Sequence, residues 1–362
     1  MEEKHITSLI EYQKKQREFV RKGRFRLVFL AIALFCLWLI PRQRGFSAEE
    51  GRLWDDVRQA EIFLWEWREE RGDSSGIDAD PWKLGLIGLE WSPLTTTLGS
   101  LEAKRTACHP SWSVAILREF DAMGLKEGDS VAILSSSSFP GLLLNTLKAA
   151  EYRHLKVLLI LSLGSSTWGA NVPGAPWPVL AEQLRERGLL HTKADYYTLG
   201  GDDENGGGIA PEGVALMIDM AKGEGVPLLR EGTLEGMISK KMEIVQKFSP
   251  RLVMSIGGSH ANMGEDESIL ALPGGLHFPS ADEVSGDGVI GQALSAGYPV
   301  FHLLNIHDLS LRYGIPYNAN PSKAISSRKS LISSVAGIFL SGWILLSHRR
   351  WMFCCGGEGS KL

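Results

Sequence analysis

The sequence predicts an α/β fold: a mostly parallel sheet with helices on both faces. Three observations carry that prediction. Short apolar runs alternate with helix-length segments, as in consecutive βαβ units. Five of those runs, within 131–134, 157–161, 194–199, 251–256 and 298–306, each stop in Gly, Ser, Asn, His or Asp. The clearest unit, residues 126–171, reads strand, helix, strand: Val131–Leu134, a helix opened by Pro140 and Gly141, then Val157–Leu161. Strands joined in this way are parallel neighbours, and in open parallel sheets ligands sit beyond their carboxyl ends.

Taken from the N-terminus, residues 1–26 form a basic, helix-prone arm with eight Lys/Arg against four acids. Leu27–Ile40 is free of charge, and its roughly 14 residues cover about 21 Å as a helix against the roughly 30 Å of a bilayer core. Arg24, Arg26 and Arg42 flank it and are placed to snorkel, so residues 27–41 are expected to span a membrane. A second charge-free segment, 331–347, precedes Arg349 and Arg350 and carries the same expectation. Basic residues stay cytoplasmic, which puts both termini inside, with 348–362 as a short tail, and residues 80–328 outside the cytoplasm at a cell membrane. Between the spans, residues 45–322 carry 22 Lys/Arg against 37 Asp/Glu. So acidic a body excludes nucleic acid as a partner, since its capture needs clustered Lys/Arg.

"SAEE" at Ser47–Glu50 matches a capping box and opens a helix with Leu53, Val57, Leu64 and Trp67 at helical spacing. This helix and the linker after it occupy 45–79. Thr95–Thr97 precede a short helical stretch with Glu102, Lys104 and Arg105, and Pro110 opens a further helix that Gly124 closes. After the central unit, helices are expected over 179–187, 211–223, 230–247 and 288–297, and the last strand, in 298–306, is expected to deliver His307 and Asp308. Cys108 is the body's one cysteine; Cys36, Cys354 and Cys355 lie in or beside the apolar segments, and no metal-binding spacing occurs.

Four constellations bear on chemistry. Ser136 or Ser138, with His260 as base and Asp202 or Asp203 as orienting acid, supplies the parts of a nucleophilic triad, although GxSxG is absent. "SLGSSTWGAN", with Ser165, Ser166, Trp168 and Asn171, suits anion binding by backbone amides or stacking of a substrate on the indole. "GGSHANMG", with Gly257, Gly258 and Ser259, is a second strand-end loop. Ser135, Thr96, Thr97, Lys104 and Arg105 complete the ligand-binding candidates, the two bases pairing with carboxylate-rich substrate from an otherwise solvated helix face. "GDGVIG" at Gly286–Gly291 matches the dinucleotide fingerprint but follows no predicted strand, so neither a nucleotide nor any other cofactor is expected.

"GLEWSPLTTTLGSLEAKRT", "SSSSFPG", "SLGSSTWGANVPG" and "SIGGSHANMG" together resemble the poly-γ-glutamate system protein family, over most of residues 80–275. A glycine is more usual in that family where Ser136 or Ser137 stands here. The resemblance implies a membrane-anchored accessory protein of poly-γ-glutamate synthesis and export. Its partners would be an ATP-dependent amide ligase and a small membrane subunit. It carries over no catalytic residues. A body so acidic repels a polyanion, which favours organising the synthase–exporter assembly over holding polymer. The alternative is an extracytoplasmic Ser-dependent hydrolase or γ-glutamyl transferase working at the same strand ends.

Overall fold

The computed structural model describes residues 2–39, 45–73, 75–279 and 286–323, together with Phe339 and Trp343. The chain divides into two compact units, one of residues 1–45 with 326–362 and one of residues 46–325. In the first, the basic arm and the apolar stretch join in one continuous helix, α1 (Glu2–Leu39). No helix among the described residues is long and apolar enough to cross a membrane. The second apolar segment, 331–347, lies outside the described residues apart from Phe339 and Trp343, and the tail 348–362 lies wholly outside them.

The second unit holds a six-stranded sheet of order β3-β2-β1-β4-β6-β5. Its strands are β1 (Ser130–Ser136), β2 (Lys156–Ser162), β3 (Tyr196–Thr198), β4 (Leu252–Ile256), β5 (Gly275–His277) and β6 (Val300–Leu303). All neighbours are parallel except β5, which runs antiparallel to β6. The sheet is therefore mixed, five parallel strands and one antiparallel edge.

Successive strand residues point to opposite faces, and here both faces are covered. Val131 and Ile133 of β1 join one core, with Leu159 of β2 and Met254 of β4; Ala132, Leu134, Leu158 and Val253 join the other. The first core is closed by α2 (Ala48–Glu70), α3 (Leu101–Ala107), α4 (Ser111–Ala122), α5 (Pro140–Tyr152), α6 (Trp177–Glu186), α7 (Pro211–Glu224) and α11 (Ile306–Tyr313). The second is closed by α8 (Leu234–Phe248), α9 (His260–Met263) and α10 (Val289–Ser295). The capping box of α2 forms as the sequence predicts: Glu50 N–H donates to Ser47 Oγ and Ser47 N–H to the Glu50 carboxylate. The apolar stripe of α2, Leu53, Val57 and Leu64, is fully buried, and the helix packs on α4, α5 and α6 inside this unit.

The last strand differs from expectation. It stops at Leu303, and His307 and Asp308 are exposed in the first turn of α11, after Asn305 turns the chain with a left-handed φ of 53°. "GDGVIG" leads into α10, whose seven residues are short, and its Gly288 packs against the backbone at Met263–Gly264.

The chain runs β1 to β2 to β3 outward on one side, then returns to place β4 on the other flank of β1. The topological switch lies between β1 and β4, where a parallel sheet opens a crevice at its carboxyl end.

Candidate functional site at the strand ends

The parallel register places the ends of β1, β2 and β4 side by side: Ser135 pairs with Leu161 and Ile256, and Ser136 with Ser162. Three loops leave from there, 137–139, 163–171 and 257–259. A fourth segment, 88–100, crosses over them. Thr95 makes an isolated parallel bridge to Ser165, Thr96 N–H donates to Ser165 O at 2.8 Å, and Thr167 N–H donates to Thr97 O at 2.9 Å. Stretches 70 residues apart are thus knitted into one surface.

The knitting consumes several candidates. Asn171 is fully buried; its Oδ1 accepts Leu89 N–H at 2.8 Å, and its Nδ2 donates to Leu89 O and to Thr95 Oγ1, each at 2.9 Å. It is a staple between segments, fully buried and with both amide hydrogens already donated. Ser165 Oγ donates to Ser137 O and Ser166 O, and Ser135 Oγ to Ser136 O. Gly169 is required here: a Cβ would strike Ser165 Oγ and the backbone of Ser138. Trp168 is half-buried and packs against the core, from a backbone with a left-handed φ of 65°.

Lys104 and Arg105 do not act as a pair. A step of one residue turns a helix by about 100°, so neighbours diverge. Arg105 Nε donates to Ala79 O at 2.8 Å and the guanidinium lies over Trp82, away from the strand ends. Lys104 is 2% exposed rather than solvated. Its Nζ donates to Ser166 Oγ at 2.7 Å and to Ser138 O, and sits 3.8 Å from the centroid of Phe139. Burial pulls this amine down to about 7, opposed by the neighbouring Cys108. Ser138 is half-exposed; its Oγ accepts Ser166 N–H at 2.9 Å.

The triad is not assembled. His260 Nδ1 accepts the Asp203 amide at 3.0 Å and stands 3.8 Å from the Asp203 carboxylate. Neither Ser136 nor Ser138 bonds to it among the described residues. With Nδ1 an acceptor, the neutral ring carries its proton on Nε2 and cannot take a serine proton there. Asp202, exposed, bonds through its backbone to Gly207 and Asn205 across a tight turn, so the acid beside the imidazole is Asp203. Ser136, at the switch point, is 5% exposed; its Oγ is buried and has no hydrogen-bond partner among the described residues. It faces Gly257, where φ is 81° and a Cβ would come within 2.6 Å of that hydroxyl. On the β4 side the rim is formed by exposed Gly258 and half-buried His260, while Ser259 turns its hydroxyl oxygen inward, out of contact with solvent.

One element of this region has no signal in the sequence motifs. Glu204, fully buried, meets Lys241 Nζ of α8 at 2.7 Å and accepts from Thr198 Oγ1 at 2.6 Å and Ser162 Oγ at 3.1 Å. Lys241 also donates to Asn262, which in turn reaches Leu134 O and Ser255 Oγ. Burial opposes ionisation of Glu204, yet Lys241 and the hydroxyls hold its carboxyl below the usual range. This buried pair holds the ends of β2 and β3 through Ser162 and Thr198, and those of β1 and β4 through Asn262.

No family model, curated protein or solved structure matches the chain. The case for a site therefore rests on geometry. Ser138, Phe139, Ser166 and Lys104 meet over β1 and β2, and Ser136, Gly257 and His260 lie beside them over β1 and β4.

Proposed function

We propose that this chain is a membrane-anchored accessory subunit of a poly-γ-glutamate synthesis and export system. In this reading, residues 27–41 and 331–347 anchor the chain and the α/β domain lies outside the cytoplasm. That domain organises the partner ligase and the small membrane subunit. The observation that supports it best is convergence. The four stretches that carry the family resemblance lie far apart in sequence, yet segments 88–105, 135–141, 162–171 and 256–264 all come to the carboxyl edge of β1, β2 and β4. The excess of acids over bases in residues 45–322 favours an organising role over direct retention of a polyanion.

Deleting the gene is expected to abolish both cell-associated and released polymer, measured by glutamate release on acid hydrolysis of purified polymer. Polymer at the parental level contradicts the reading. A second reading, an extracytoplasmic Ser-dependent hydrolase or γ-glutamyl transferase, loses His260 as its base but is favoured by one contact, Lys104 Nζ on Ser166 Oγ at 2.7 Å.

A further inference from the structure

We infer that Ser166 and Lys104 are a nucleophile–base pair for acyl transfer, taking an ester or amide of a carboxylic acid at the carboxyl ends of β1 and β2. This goes beyond the accessory-subunit reading and does not depend on it. Four features carry it. The hydroxyl and the amine are in direct contact at 2.7 Å. Both groups are buried, Ser166 at 5% and Lys104 at 2% exposure, while Ser138 and Phe139 beside them are only half-buried, so the pair sits one layer beneath the surface. The Ser166 backbone is tied to Ser138 Oγ, and the lysine to Ser138 O, which fixes nucleophile and base on one frame. The amine also faces the π-surface of Phe139, which accommodates the ammonium formed once it takes a proton.

A lysine serves as base only when it is neutral at working pH, which burial achieves. The segments folded over this amine, 94–100, 135–147 and 162–171, carry no ionisable side chain. On its own helix Glu102 is exposed and held by Ser100, Arg105 turns away to Ala79, and Cys108 is buried with its thiol pushed up by that burial. Cys108 opposes the pull of burial on the amine, but with its own thiol held protonated it supplies little negative charge to keep Lys104 charged.

Ser166 Oγ adds to the substrate carbonyl carbon while its proton passes to Lys104 Nζ. The donors assigned to the oxyanion are backbone amides. Those of Ser138 and Phe139 have no acceptor among the described residues, and α5 begins there without a side-chain cap. The C–N or C–O bond breaks and the leaving group takes the proton from Lys104. Water then adds to the Ser166 ester, giving its proton to Lys104; the Oγ–acyl bond breaks, Ser166 Oγ takes that proton back from Lys104, and the acid departs.

The test uses the full chain in mild detergent and a fluorophosphonate probe, in which a serine oxygen displaces fluoride from phosphorus. Peptide mapping of the unmodified chain is expected to place the adduct on Ser166. Its rate should rise as pH passes upward through about 7, as Lys104 deprotonates. S166A is expected to abolish the adduct, and K104M and K104R to slow it at least about 100-fold, the scale of general base catalysis. An adduct on another serine, none on the wild-type chain after hours at pH 9, or labelling indifferent to K104M and K104R overturns the inference, whatever becomes of the polymer phenotype.

Discussion

Asn171 shows how a single side chain holds the strand-end surface together. Its carboxamide satisfies both backbone groups of Leu89 and the hydroxyl of Thr95 inside a fully buried space. Asn171→Ala strands those groups away from water, and unpaired buried polar groups cost about 1–3 kcal/mol each. Denaturant titration should show the variant destabilised by roughly 2–4 kcal/mol. Lys104 behaves differently, because its folded state favours the neutral form. The folded-state value near 7 lies below the lysine reference of 10.5. The unfolded chain therefore binds more protons between those limits, and stability rises with pH across that window. Relative to K104M, the wild-type chain should gain stability between pH 7 and 10, which melts at stepped pH would measure; a difference independent of pH contradicts this.

Element by element, the sequence carried the architecture further than it carried the chemistry. Apolar runs with small polar ends marked the cores of five strands, because strands buried on both faces read as continuous apolar segments. It missed β5, whose three residues, Gly275–His277, present no alternation to read. It also extended the last strand into α11, since "LLNI" is as apolar as the strand before it and only Asn305 breaks the run. Of the site, the strand ends were legible and the partnerships were not. Lys104 looks solvated because Glu102 and Arg105 flank it, and its burial comes from segments 135–139 and 162–168 closing from elsewhere in the chain. The Glu204–Lys241 pair was invisible for the same reason. Asp203 and Glu204 are consecutive left-handed residues, with φ of 54° and 56°, a strained turn held by that pair. Lys241→Met leaves a buried carboxylate alone and should cost about 3–5 kcal/mol, whereas Glu204→Gln with Lys241→Met should recover most of it. A double-mutant cycle in urea would measure the coupling; additive losses would show that the two side chains do not act as a pair.

At the scale of the whole molecule, acid is the condition that tests both cores. His109, before α4, and His302, in β6, are both buried and each is pulled by burial from 6.5 to about 4. The unfolded chain therefore takes up protons first as pH falls from 6.5 to 4. Stability present above 6.5 is lost across that interval, on the order of 3 kcal/mol for each group. Replacing both residues by Gln should flatten the midpoint-against-pH curve between pH 6 and 4; an unchanged slope would place the acid sensitivity elsewhere.

The two outermost strands have a bearing on how the protein behaves in company. Each is only three residues long, and β3 is further occupied by the Pro227–Leu229 segment, which exchanges hydrogen bonds with Tyr197. Borders so brief offer a foreign strand almost nothing to zip onto, and short or covered borders are how sheet proteins avoid fusing into fibrils. At high local concentration, this domain should meet its neighbours through side-chain surfaces and not by splicing sheets together.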